Sequence, residues 1–143
     1  MIRAIFEDRL FLGNAMDARD LRSLYENRIA AVLDLAINER PAQLAHEMIY
    51  CRFPIMDGDG SSDAMITVAI RCIMLLVETK QRTLIACSAG MSRSPAISAA
   101  AIALITKQSP EQCLLDIVTG APHDVSSTLW SRVKSVYSEM QDR

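Results

Sequence analysis

Two apolar stretches stand only six residues apart in this chain: TLIAC at residues 83–87, and SPAISAAAIALITK at residues 94–107. The first is short enough for a strand buried on both faces. The second is apolar nearly all round, which marks a helix held inside a core rather than laid on its surface. A doubly buried strand followed at once by a buried helix restricts the chain to a parallel, layered sheet with helices packed against it. The loop between them, SAGMSR at 88–93, is then set at the carboxyl end of a strand.

The remaining sequence repeats the alternation without a linker, repeat or low-complexity segment, so a single α/β unit spanning residues 1–143 is expected. AIF and LFLG predict two short strands. DARDLRSLYENR predicts one helix, with Asp17 as its cap and Leu21, Leu24 and Tyr25 on one face. IAAVLDLA predicts a buried strand. PAQLAHE opens on a proline suited to a first helical turn, and MIYCRF predicts a strand ending at Pro54. After the loop MDGDGSS, a helix is expected from Asp63 to Lys80, since Met65, Ile66, Ala69, Ile70, Ile73, Met74 and Val77 recur at helical spacing. Ser109, Pro110 and Gln112 form a capping-box start for a further helix, and a last one is expected from about Ser126 to Met140. Such a pattern gives a mostly parallel central sheet flanked by helices on both faces, with ligands bound beyond the carboxyl ends of the strands.

Charge and cysteine content narrow the function classes. Fifteen basic and seventeen acidic residues leave a formal charge of −2, so no global positive field favours nucleic acid or an anionic membrane surface. The most apolar stretches are shorter than the roughly 20 residues that span a bilayer. Glu7 and Asp8 interrupt the place where a secretory signal would need an apolar core, and a cytoplasmic protein is expected. Cys51, Cys72, Cys87 and Cys113 have no CxxC spacing and are expected as reduced thiols, with Cys51, Cys72 and Cys113 as small buried hydrophobes. DGDGSSD opens like a calcium loop, but Ser62 stands where that loop needs glycine and Val68 where it needs glutamate. His46 and His123 have no partner at ligand spacing, so no metal is expected.

The octapeptide CSAGMSRS, residues 87–94, carries chemistry that these exclusions leave standing. Small residues Ser88, Ala89 and Gly90, followed by Met91 and Ser92, let the loop curl so that successive N–H groups point inward over a helix amino terminus. That is a nest for a tetrahedral oxyanion such as phosphate. Arg93 adds a guanidinium able to clamp two phosphate oxygens, which a lysine cannot do. The same loop sets the Cys87 sulfur at a helix amino terminus beside a guanidinium, the electropositive kind of place in which nucleophilic cysteines occur. Ser94 can donate a hydrogen bond to that sulfur when it later leaves, or serve as a plain helix cap.

CSAGMSRS resembles the Cys-x5-Arg-Ser/Thr signature of the cysteine-dependent phosphatases, and the surrounding chain resembles the dual-specificity phosphatase family. LFLGNAMDARD is similar to that family's opening strand and helix, and IAAVLDLA, FPIMD and the helix before TLIAC keep its order. The resemblance implies a protein tyrosine phosphatase-like fold and hydrolysis of phosphotyrosine, with phosphoserine and phosphothreonine as further candidates, in a protein or peptide partner. It implies a phosphoryl-cysteine intermediate on Cys87 and no cofactor. It also implies an aspartate acid from a separate loop, for which Asp57 matches and Asp59 is the alternative. One departure is plain: the family usually has histidine before its nucleophile, and here Ala86 stands there. A phosphate-binding module without efficient turnover therefore stays open, as does a rhodanese-type sulfurtransferase, which also uses a cysteine loop at a strand end.

Overall fold

The structure, a computed structural model, describes all 143 residues. Its elements run β1 (Arg3–Phe6), β2 (Leu10–Asn14), α1 (Ala15–Arg19), α2 (Leu21–Glu26), β3 (Ala31–Ala36), β4 (Ile49–Ile55), α3 (Asp63–Glu78), β5 (Thr83–Cys87), α4 (Arg93–Thr106), α5 (Pro110–Val118) and α6 (Ser127–Gln141). The five strands form one sheet in the order β1-β2-β5-β3-β4. β1 is antiparallel to β2, and the remaining pairs are parallel. The mixed sheet with helices on both faces is the expected α/β architecture, and TLIAC is its central strand, buried at every residue. No helix is long and apolar enough to cross a membrane.

The two faces of the sheet are covered unequally. A cluster of 29 buried residues fills the side occupied by α3–α6, whereas seven residues, among them Phe11, Leu24, Val32 and Ala86, form the core beneath α1 and α2. α4 sits inside the larger cluster, with Ala96, Ile97, Ala99, Ala100, Ala101 and Ala103 all fully buried. Its alanines bring the helix close to the sheet without forcing the strands apart.

Three local expectations are corrected. The helix expected over DARDLRSLYENR is two short ones. Asn14, not Asp17, is the first cap: its side chain accepts the Asp17 N–H at 2.8 Å while the Asp17 carboxylate accepts the Asn14 N–H at 2.8 Å. Asp20 then ends α1 and starts α2 by accepting from the Ser23 N–H at 3.1 Å, which breaks the helical run. As a result Leu24 is buried while Leu21 and Tyr25 are 49% and 86% exposed.

PAQLAHE forms no helix. Seven residues behind an arginine rather than a capping side chain are too few to nucleate one. The segment is held in an irregular path by long-range bonds instead. The Ala42 N–H donates to the Tyr50 hydroxyl at 2.9 Å, Tyr50 donates to the buried Asp34 carboxylate at 2.6 Å, and Arg52 donates to the carbonyls of Ala36 and Glu39 at 3.0 and 2.6 Å. Burial, reinforced by the Asp34 carboxylate, pushes the Tyr50 phenol up. At the start of α5, Ser109 accepts the Gln112 N–H at 3.1 Å as expected, but the Gln112 side chain turns to Asp116 at 2.8 Å and leaves the box half closed.

Cys51, Cys72 and Cys113 are free thiols away from the strand ends that carry the loop. Burial pushes Cys113 up, and it pushes Cys72 up to about 12 with Cys51 beside it adding to the effect. Both thiols are thereby held in the protonated form. Cys113 is buried as expected, whereas Cys51 and Cys72 are only partly buried against the larger core.

Candidate active site

The site is assembled where β5 ends. Parallel pairing sets Cys87 beside Asn14 of β2, and the chain then turns over the amino terminus of α4. Gly90 makes the turn possible on two counts. Its φ is +73°, and a Cβ at that position would lie 2.8 Å from the Gly13 carbonyl oxygen. The carbonyls of the loop are drawn outward, Ser88 O accepting from the Ala15 N–H at 3.2 Å and Met91 O from the Asp124 N–H at 3.0 Å. None of the N–H groups of residues 88–92 is bonded to a backbone carbonyl, so the loop keeps a row of free donors over the start of a fourteen-residue helix.

Arg93 lies beneath this row and is 5% exposed. Its Nη1 donates to Asn38 Oδ1 and to the Ile55 carbonyl, each at 3.0 Å, and its Nη2 donates to Ser88 Oγ at 3.0 Å. Nε has no partner although it is buried. Every acceptor around the guanidinium is neutral, and none of the ion pairs of the molecule includes Arg93. A cation withdrawn from water without a counter-charge is costly, and an anion seated in the loop would supply one.

A cavity of 420 Å³ opens over the loop, lined by Cys87, Ser88, Ala89, Met91, Ser92 and Arg93 from the loop itself, by Asp57 and Met56, by Ile37 and Asn38, and by Asp124. Cys87, 2% exposed, lies at its floor. Asp57 enters from the loop after β4, where its Oδ1 accepts from the Ser92 hydroxyl at 2.6 Å. Asp59 does not line the cavity; it is paired with Arg132 at 3.2 Å, and its side chain is 64% exposed. Ser94 is fully buried, and its hydroxyl has no hydrogen-bond partner. It is not the helix cap: that position belongs to Ser92, whose side chain makes no capping bond. Cys87, Arg93, Asp57 and residues 88–92 are thus brought together, and Ser94 follows within the first turn.

The structure adds residues that sequence reasoning did not name. Asn38 Oδ1 accepts from Arg93, and the one hydrogen of the Ser88 hydroxyl is shared between Asn38 Oδ1 at 3.0 Å and Glu39 Oε2 at 3.2 Å. Both follow β3, so the rule that sites form beyond the carboxyl ends of strands pointed at INER as well as at the cysteine loop. Arg132 of α6 ties down the loop carrying Asp57, reaching Asp59, the Ser61 carbonyl at 2.9 Å and Asp63 at 2.7 Å. No local pattern marked it. Neither histidine lines the cavity, and both are exposed. Ala86 turns its methyl group into the smaller core with Phe11, Val32 and Leu84.

Comparison with known proteins decides the family. The model of a family described as "Polymorphic toxin system, DSP-PTPase phosphatase" matches residues 11–107, more than half of the chain. The chain belongs to the dual-specificity phosphatase family. Human dual specificity protein phosphatase 15 is 32% identical over 98 residues, a match that covers 68% of this chain and 32% of the relative's own length. The crystal structure of human DUSP28 superposes with a TM-score of 0.83 at 19% identity, covering 99% of each chain. That of DUSP15 gives 0.78 at 21% identity over 99% of this chain and 96% of that one. The human tyrosine phosphatase-like serine/threonine/tyrosine-interacting protein gives 0.84 at 16% identity over 99% and 98%. The likeness extends through α6, beyond the end of the family match. Family membership removes the rhodanese-type alternative.

Proposed function

We propose that the protein hydrolyses phosphomonoesters of protein side chains, phosphotyrosine first among them, through a phosphoryl-cysteine intermediate on Cys87. One observation carries this assignment: Arg93 is a buried guanidinium that faces neutral acceptors and keeps a free Nε–H. A phosphoryl group held by that Nε–H, by the remaining Nη2 hydrogen and by the N–H groups of residues 88–92 would complete its charge balance and its hydrogen bonds together.

In this mechanism the Cys87 sulfur attacks phosphorus, and the bond to the leaving oxygen breaks as Asp57 gives that oxygen its proton. The Asp57 carboxylate then takes a proton from the water that attacks the phosphocysteine, and the sulfur departs. Ser94, buried with an unused hydroxyl, donates to the departing sulfur. No cofactor enters, because the cysteine itself carries the phosphoryl group.

Ala86 favours a second reading, a phosphate-binding module with little turnover, since no imidazole precedes the nucleophile. One structural neighbour is itself named as phosphatase-like and as an interacting protein. Hydrolysis of para-nitrophenyl phosphate by the reduced protein and by Cys87→Ser, with inorganic phosphate binding followed by calorimetry, separates the two. Turnover in the native protein that vanishes in Cys87→Ser, with phosphate still bound, supports the enzyme. Phosphate binding with no turnover in either supports the binding module, and Ala86→His is then the variant expected to gain activity.

A further inference from the structure

Ser92 stands at the position from which a serine ordinarily caps a helix, yet it leaves the first turn of α4 uncapped. Its hydroxyl is used elsewhere, donating to Asp57 Oδ1 at 2.6 Å and accepting the N–H of Ser126 at 2.9 Å. Ser92 is 7% exposed, so water is no ready alternative partner. A hydroxyl has one hydrogen, and a backbone N–H can only donate; the hydrogen of Ser92 is therefore satisfied at Asp57.

The start of α6 is itself tied to the phosphate loop. Asp124 donates to Met91 O at 3.0 Å, and the Ser126 side chain caps α6 by accepting the Leu129 N–H at 3.3 Å. The N–H that orients Ser92 is thus fixed by both elements.

We infer that Ser92 is the positioning residue for the proton donor: its hydroxyl, aimed by the Ser126 N–H, occupies Asp57 Oδ1 and leaves Oδ2 as the oxygen that carries the proton. The inference rests on the acid role of Asp57 proposed above. When the Oδ2–H bond breaks, the proton passes to the leaving oxygen and the electron pair stays on the carboxylate. The O–H···O contact of 2.6 Å falls in the range typical of a hydroxyl bonded to an ionised acceptor, so it strengthens as that charge develops. Ser92 thereby fixes which oxygen transfers the proton and stabilises what remains.

The test compares phenyl phosphate, a poor leaving group, with para-nitrophenyl phosphate, a better one, in the native protein, Asp57→Asn, Ser92→Ala, Ser92→Thr and the double variant Ser92→Ala/Asp57→Asn. Ser92→Ala is expected to slow phenyl phosphate about tenfold, the loss of one hydrogen bond to a charged group, and para-nitrophenyl phosphate by less than about threefold. Ser92→Thr, which keeps the hydroxyl, is expected to return both rates toward native and so remove the difference. In the Asp57→Asn background Ser92→Ala should add no further discrimination between the esters. Equal slowing of both esters by Ser92→Ala, by the same factor with Asp57 present or replaced, would overturn the inference and leave the acid assignment intact. Equal slowing of both by Asp57→Asn would instead overturn the acid assignment, and the inference with it. Inorganic phosphate binding by each variant checks that the loop is still formed, and because Ser92 makes no capping bond, Ser92→Ala removes none from α4.

Discussion

The two loops that meet at the cavity are held in opposite ways. Residues 87–93 are fixed by the elements on either side of them, a central strand and a buried helix, and by a glycine against the backbone of β2. The loop carrying Asp57 follows an edge strand and is fixed from outside, by the Ser92 hydroxyl on one side and by Arg132 of α6 on the other. On the proposed mechanism, phosphate would be held by the loop's own N–H groups together with Arg93, whereas delivery of the proton would depend on long-range side-chain ties to the Asp57 loop. The first should survive substitutions that cripple the second.

Arg93→Lys is expected to have the largest effect on the backbone-held side. Lysine keeps the charge but cannot serve Asn38, Ile55 O, Ser88 and a phosphate edge together, because a single ammonium replaces a planar fork. Turnover should fall about a hundredfold or more, the loss of two hydrogen bonds to charged groups, and phosphate affinity should fall with it. Phosphate binding retained at native strength would show that the loop amides hold the anion without the guanidinium.

Arg132→Ala addresses the other loop and should act more weakly. Its guanidinium bridges Asp59, Ser61 O and Asp63, but it is partly exposed, and exposed pairs contribute about 0.2–1 kcal/mol each. A decline of about threefold is expected on phenyl phosphate, with para-nitrophenyl phosphate and phosphate binding nearly unchanged. A matching loss of phosphate affinity would mean that α6 supports both loops and that the division is false.

The same division explains how much the sequence revealed. The strand, nest and helix of 83–107 are consecutive, so apolar runs, one glycine and one arginine were enough to locate them. Asp57 was named only from its resemblance to a family pattern, and the residue it is bonded to in the cavity, Ser92, is 35 residues away. Asn38 and Arg132 carry no local mark, because an asparagine or arginine in a surface segment serves equally well as a solvated residue; only the fold sets Asn38 against Arg93. The segment 41–47 misled for a related reason. Its proline signalled a helix start, while its path is set by Tyr50, Asp34 and Arg52 on strands that a local pattern cannot see.

Asp59→Asn is expected to have the smallest effect, and it tests the division most sharply because Asp59 shares a loop with Asp57. The two carboxylates are two residues apart and face different partners. Asp57 lies against Ser92 in the cavity wall; Asp59 lies on the outside against Arg132 at 3.2 Å, with its side chain 64% exposed. Asparagine keeps an acceptor for Arg132 and gives up the charge of an exposed pair, so turnover should change by less than about twofold, without regard to leaving group. A leaving-group dependence appearing in Asp59→Asn and absent in Asp57→Asn would exchange the two roles. The Ser92 hydroxyl would then hold a carboxylate that transfers nothing, and Arg132 would be binding the acid itself.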